Sequence, residues 1–352
     1  MALSRNQDSM IGNRFQINQL IGTGGMSIVY KAWDSTLDRD VAIKVLRQKY
    51  AQTEDVRMRF QQEAKAAARL SHPNIVTVYD SGIDGLRIYI ALQHIEGSTL
   101  KLHIQSRGKI NLINELDYGI QICKGVDHAH TNHIIHCDLK PSNILINESN
   151  QIKITDFGLA RVMQQSIQEQ ENYFWGSPFY ISPEQAQGKS PTIASDIYSL
   201  GVVLYQMMTG QLPITGDSVA ELLNNHIYVQ PVPPRDINER IPLSLNDAIL
   251  RCLQKDPKKR YRSVSQVRDI LANIRHSIIL NSTSNALPRN SINVDTKQTH
   301  PEKSKSQIIK GDWQKQFAQF DWKTILLGLL ATIAAAGLIP FWIYIYFNVP
   351  GR

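Results

Sequence analysis

Residues 136–143 read His136-Cys137-Asp138-Leu139-Lys140-Pro141-Ser142-Asn143, and Asp156-Phe157-Gly158 follows a short distance on. Two carboxylates, an ammonium and an amide (Asp138, Lys140, Asn143, Asp156) thus fall within 19 positions. A carboxylate orients a hydroxyl and accepts its proton. An ammonium steadies a phosphoryl oxygen, and an amide oxygen with a second carboxylate suits Mg²⁺. Phosphoryl transfer needs such a set, because its chemistry is largely positioning and charge neutralisation.

Upstream, residues 15–21 and 27–33 read as strands around Gly22-Thr23-Gly24-Gly25-Met26-Ser27-Ile28-Val29. Glycines between strands permit a tight turn and a close approach to a phosphate chain. Taken alone the loop is equally a plain hairpin turn, but strand-turn-strand order excludes a dinucleotide fold or a Walker loop, which need a helix next. Residues 41–46 form a strand with one lysine, Lys44, among apolar residues. Residues 53–70 read as a helix that ends at Ser71-His72-Pro73. Phe60, Glu63 and Ala67 share a face of it. A carboxylate on an apolar face needs a partner, and Lys44 is the expected one. Residues 75–79 and 87–92 are further strands, and 93–97 a connector to a mostly helical half. There, helices are expected over 113–132, 197–208, 217–226, 245–253 and 263–274, with a hairpin over 144–154 and a loop over 161–172.

The 352 residues carry a formal charge of +7. Residues 272–323 hold 8 Lys and Arg against 4 Asp and Glu, and Arg352 adds one more. About +2 is left for the rest, too little for a nucleic-acid-binding face. Three cysteines (Cys123, Cys137, Cys252), none in a CxxC spacing, argue against both a disulfide framework and a zinc site. The polar N-terminus has no signal-peptide core. Residues 324–347 are 24 uncharged residues flanked by Trp322 and Lys323 on one side and closing with Trp342, Tyr344 and Tyr346. That is enough to cross a bilayer, which takes ~20 residues. Five residues follow, so no domain is expected beyond the span. Residues 281–306 are polar and unpatterned, a linker. Trp313, Phe317 and Phe320 with nearby lysines read either as an interfacial helix or as an irregular spacer.

Taken together, these residues resemble the eukaryotic-like protein kinases, most closely the bacterial membrane-anchored serine/threonine kinases, over residues 15–274. The motifs occur in family order, which makes the likeness specific. The resemblance implies an α+β, bilobal fold: a small β-rich N-lobe with one helix over residues 15–93, and a larger helical C-lobe over 97–274. A tail (1–14), a juxtamembrane linker (275–323), the span (324–347) and a short tail (348–352) complete the domain organisation. ATP is expected under Ile21, Gly22, Thr23, Gly24, Gly25, Met26, Ser27, Ile28 and Val29. Leu92 is similar to the gatekeeper, and the adenine is expected on backbone groups near His94 and Ile95. Lys44, held by Glu63, is expected on the phosphates. Asn143 and Asp156 are expected on Mg²⁺, with Mn²⁺ an alternative. Asp138 is the expected base, and Lys140 neutralises the transferring group. Ser182-Pro183-Glu184 with Arg260, and Asp196, resemble the family's structural braces.

Cys137 stands where many relatives have the arginine that pairs with a phosphorylated activation loop. The reading adopted is a kinase not switched on by that pairing. A redox-sensitive thiol and a residue without consequence are the alternatives. Lys140 and Ser177 favour Ser/Thr substrates, and Ser166 is the expected autophosphorylation site. The expected partners are ATP, protein Ser/Thr hydroxyls and the cell membrane through one helix, with the kinase domain cytoplasmic. Nucleic acid is not expected, and homodimerisation is left open, without a GxxxG pair to support it. A pseudokinase scaffold is disfavoured because Lys44, Asp138 and Asp156 are all present. A small-molecule phosphotransferase is disfavoured by Ser182-Pro183-Glu184 and Arg260.

Overall fold

The computed structural model describes residues 10–106, 108, 110–157 and 178–284; the span expected at 324–347, the loop over 161–172 with Ser166, and Gly158 and Ser177 lie outside them. Among the described residues no helix is long and apolar enough to cross a membrane.

The N-terminal lobe is an antiparallel sheet in the order β1-β2-β3-β4-β6-β5. Its strands are β1 (Met10–Ile11), β2 (Phe15–Thr23), β3 (Ser27–Asp34), β4 (Arg39–Leu46), β5 (Val78–Asp84) and β6 (Arg87–Gln93). Strand β4 shows why the sheet has two different faces. Side chains alternate along a strand, so Val41 and Ile43 join Phe15, Ala32 and Tyr89 in one cluster. Leu46 joins Phe60, Ala64 and Ile90 on the other face. Phe60 and Ala64 come from α2 (Glu54–Ala67), preceded by the single turn α1 (Gln48–Ala51). The helix starts and ends within three residues of the predicted limits.

The second lobe begins with β7 (Gly97–Thr99), which pairs with β8 (Ile144–Asn147) and then β9 (Ile152–Ile154). Its helices are α3 (Leu100–Ser106), α4 (Leu112–Thr131), α5 (Pro183–Ala186), α6 (Ile193–Thr209), α7 (Val219–Tyr228), α8 (Pro234–Ile237), α9 (Leu243–Cys252) and α10 (Val264–Ser284). Helix α6 is buried nearly all round, the mark of a central helix. Thr192 and Ser195 form a capping box at its start, and Gly210, at φ 80°, ends it in the left-handed region that glycine tolerates. Gly201 lets α9 come close, since a Cβ there would stand 2.6 Å from Cys252 Cβ.

Three expectations need correction. The strand drawn over 75–79 is β5, at Val78–Asp84, because residues 74–76 bond elsewhere: Val76 N donates to Ile154 O and Ile154 N to Asn74 O. The polar tail drawn over 1–14 holds β1, whose Ile11 is buried; Arg14 grips Asp34 through two hydrogen bonds of 2.7 Å. Helix α10 runs ten residues past 274, to Ser284, because Ile278 continues the apolar stripe of Leu271 and Ile274 against the core.

Candidate active site

The catalytic stretch hangs from α6. Asp196, in the first turn of that helix and 1% exposed, accepts from His136 N at 2.8 Å and from Cys137 N at 2.9 Å. His130 Nε2 lies 2.7 Å from Oδ2 of the same carboxylate. A buried carboxylate is tolerated only when such donors satisfy it, and here the donors are the main chain of the stretch itself. Cys137 adopts φ 68°, in the left-handed region, so the chain turns sharply and delivers Asp138 on the far side.

His136 is buried and neutral, because burial pushes its imidazole below the ordinary value. Asp138 N lies 3.3 Å from Nδ1 as donor, so the proton sits on Nε2, 3.1 Å from Thr155 O. The ring leans on Phe157, 4.6 Å between centroids. One imidazole thereby ties the 136–143 stretch to Asp156-Phe157.

Asp138, Lys140 and Asn143 meet. Lys140 Nζ is 2.6 Å from Asp138 Oδ2. Asn143, in the short turn Pro141–Asn143, donates its amide to Asp138 O at 2.9 Å and Oδ2 at 3.1 Å. With its NH₂ directed to Asp138, Asn143 has its oxygen left as the acceptor. Asp156 supplies the second hard oxygen set, and at φ 64° it too is held in the left-handed region. Amide and carboxylate oxygens fit Mg²⁺ and Mn²⁺; Asn143 and Asp156 are the residues that would hold the ion.

Lys44, 3% exposed, reaches across from β4 to Asp156 Oδ1 at 2.8 Å. Burial pushes the Asp156 carboxyl up, but the Lys44 ammonium outweighs it and holds the group below the usual carboxylate range. Glu63 lies on α2 between Phe60 and Ala64; its side chain is outside the described residues, and with it the expected pair to Lys44. A small pocket beside this point is lined by Lys44, Ala64, Val76, Leu92 and Phe157, which puts Leu92 behind the cleft.

The glycine loop closes the β2–β3 hairpin. Gly22 pairs with Val29 and Thr23 with Ile28, leaving Gly24, Gly25 and Met26 as the turn, with Gly24 N donating to Ser27 O at 2.8 Å. Ile21 is exposed on β2. Arg47, passed over in the sequence reading, pins this turn: Nε and Nη2 donate to Gly24 O at 3.1 and 3.0 Å, and its N–H donates to Met26 O. An arginine just after a strand carries no periodic signal, so nothing in the sequence marked it. The pairing of Lys153 with Gln93 behind the connector, 3.2 Å, was likewise unmarked.

The brace is complete. Arg260 clamps Glu184 in two bonds of 2.7 and 2.8 Å, with Ser195 adding a third at 2.7 Å. Burial raises the Glu184 carboxyl, yet Arg260 and Ser195 bring it below its ordinary value. Gln185, beside Glu184, donates to Cys137 O at 3.4 Å, so this brace also touches the catalytic stretch.

The family profile for the protein kinase domain matches residues 15–271. The chain belongs to the protein kinase family, in its bacterial serine/threonine branch. The chain is 42% identical over 271 residues to a probable serine/threonine-protein kinase of Clostridium acetobutylicum, covering 77% of this chain and 41% of that one. It is 41% identical to the serine/threonine-protein kinase PrkC of Bacillus subtilis, over 73% of this chain and 40% of PrkC. It is 37% identical to PknB of Mycobacterium tuberculosis, over 76% of this chain and 44% of PknB. The chain thus spans about two fifths of the length of the curated relatives it matches. The crystal structure of the Mycobacterium tuberculosis PknI kinase domain superposes with a TM-score of 0.61 at 22% identity, over 75% of this chain and 98% of that one, which supports the bilobal fold.

Proposed function

We propose that this chain is an ATP-dependent serine/threonine protein kinase, anchored to the cytoplasmic face of the cell membrane by residues 324–347. The observation that carries the reading is the joint placement of Asp138, Lys140 and Asn143, held on Asp196, with Lys44 and Asp156 across the cleft. The serine/threonine kinases among its relatives support the same activity. In this reading the Gly22–Val29 turn covers the nucleotide and Lys44, with Glu63 as its partner, meets the α and β phosphates. The divalent ion supplies charge neutralisation at the phosphates. Asp138 orients the acceptor hydroxyl and takes its proton as the oxygen attacks the γ-phosphorus. The bond to the β–γ bridging oxygen breaks, and ADP leaves. Lys140 holds the charge spread over the equatorial oxygens.

Lys140 and the expected position of Ser177 support serine and threonine as acceptors, and Ser166 is the proposed autophosphorylation site. The test is transfer of radiolabelled phosphate from ATP by the full chain in detergent, to itself and to a generic protein substrate. Asp138→Asn should lower the rate by about 10²–10⁴-fold, the usual range for general-base removal. Equal labelling by both proteins would overturn the reading.

A further inference from the structure

Strand β4 carries a second group of ligand-type side chains at the other end of the face that bears Lys44. Val41 and Ile43 enter the Phe15 and Tyr89 cluster, so Asp40 shares its side of the strand with Ala42 and Lys44. Val41 stands opposite Gln93 of β6, which brings His94, the next residue of the connector, level with Asp40. Glu96 follows two positions on. One ligand atom each from Asp40, His94 and Glu96 lies within 4.8 Å of the others. Lys31, on the adjoining strand opposite Ala42, places its ammonium 2.8 Å from Asp40 Oδ2, and Glu96 further favours its charge. Asp40 thus already holds a cation, and the three ligand atoms come together from two separate stretches of chain.

We propose that Asp40, His94 and Glu96 form a site for a divalent transition-metal ion of the zinc class, where the start of β4 meets the connector that follows β6. One imidazole nitrogen and two carboxylates match that class; a purely oxygen set would favour magnesium or calcium, and sulfur a softer ion. Donors on one such ion lie about 2.0–2.2 Å from it and so no more than about 4.4 Å from each other. Closing from 4.8 Å is a movement of side-chain size. The Lys31–Asp40 pair, open to solvent, opposes this weakly. An ion bound here joins β4 to the connector between the lobes, away from Asn143 and Asp156.

The experiment is a titration of the full chain in detergent with Co²⁺, read by its visible absorption and by competition with Zn²⁺. Wild type is compared with Asp40→Asn/Glu96→Gln, Lys31→Met and Asp156→Asn. Asp40→Asn/Glu96→Gln should weaken the Co²⁺ site by more than about tenfold, since even outer-sphere losses cost about 10–100-fold. Lys31→Met should tighten it, because the competing ammonium is gone, and Asp156→Asn should leave it unchanged. Unaltered Co²⁺ binding in Asp40→Asn/Glu96→Gln, or loss of the absorption with Asp156→Asn, overturns the proposal. Thermal melts establish folding; should the double variant not fold, Glu96→Gln alone, on an exposed side chain, carries the same comparison.

Discussion

With both oxygens of Asp196 accepting hydrogens from His136, Cys137 and His130, the position of Asp138 depends on a residue 58 places along the chain from it. Asp196→Ala leaves two buried main-chain donors without an acceptor, each costing about 1–3 kcal/mol. The expected result is a lower denaturant midpoint together with a fall in kcat larger than any change in the KM for ATP. Cys137 contrasts with it. Its thiol lies 3.5 Å from Ile135 O, a long contact, while the N–H of the residue is held by Asp196 at 2.9 Å. Cys137→Ser should therefore keep most of the phosphotransfer rate in a radiolabel assay. A folded but inactive Ser variant would mean that the thiol itself takes part. His226 sets a pH dependence. Burial pushes its imidazole down to about 4, with Lys255 adding to the effect, while the Tyr198 hydroxyl lies 2.9 Å from Nδ1. An unfolded histidine takes up its proton near 6.5 and the folded one does not, so this residue's contribution is whole above pH 6.5 and is lost as pH falls toward 4. The loss amounts to roughly 3 kcal/mol. Urea unfolding of His226→Gln at a series of pH values should show a shallower slope across that window.

At the scale of elements, two close approaches carry the fold and the cleft. Where α6 meets α9, Gly201 leaves no room for a side chain. Gly201→Ala should destabilise the lobe by about 1–3 kcal/mol, as overpacking does, measured by the same unfolding. Where the β2–β3 turn meets the end of β4, Arg47 holds Gly24 O with two donors. Net hydrogen-bond contributions of about 0.5–1.5 kcal/mol predict that Arg47→Ala raises the KM for ATP by about 3- to 10-fold, with a smaller change in kcat. Steady-state kinetics at varied ATP separates the two. Strand β5 illustrates why boundaries were harder to read than kinds. Its burial alternates between half-exposed and exposed, and its sequence Asp80-Ser81-Gly82 looks like a loop, because an edge strand needs only one protected face.

At the scale of the whole chain, the chemistry was legible where several reactive residue types crowd a short stretch: residues 136–143 and Asp156 announced their groups by composition alone. What stayed hidden were single long-range contacts. Arg47, Lys153 and His130 act on partners 23, 60 and 66 positions away, and no local pattern records such a distance. The proposed anchor is tested by fractionation: chain lacking residues 324–347 should leave the membrane pellet for the soluble fraction with its phosphotransfer rate retained. The N-terminal correction also bears on where a transferable unit begins. The family match opens at residue 15, one position after the arginine that holds Asp34. A cut at Phe15 would remove that guanidinium, together with the Met10–Ile11 strand, from a carboxylate whose side chain is 1% exposed. A graft or fusion joined at the homology boundary would therefore leave that carboxylate to Arg39, 3.8 Å away, and to the N–H groups of Thr36 and Leu37, a weaker hold than the paired guanidinium contacts it loses.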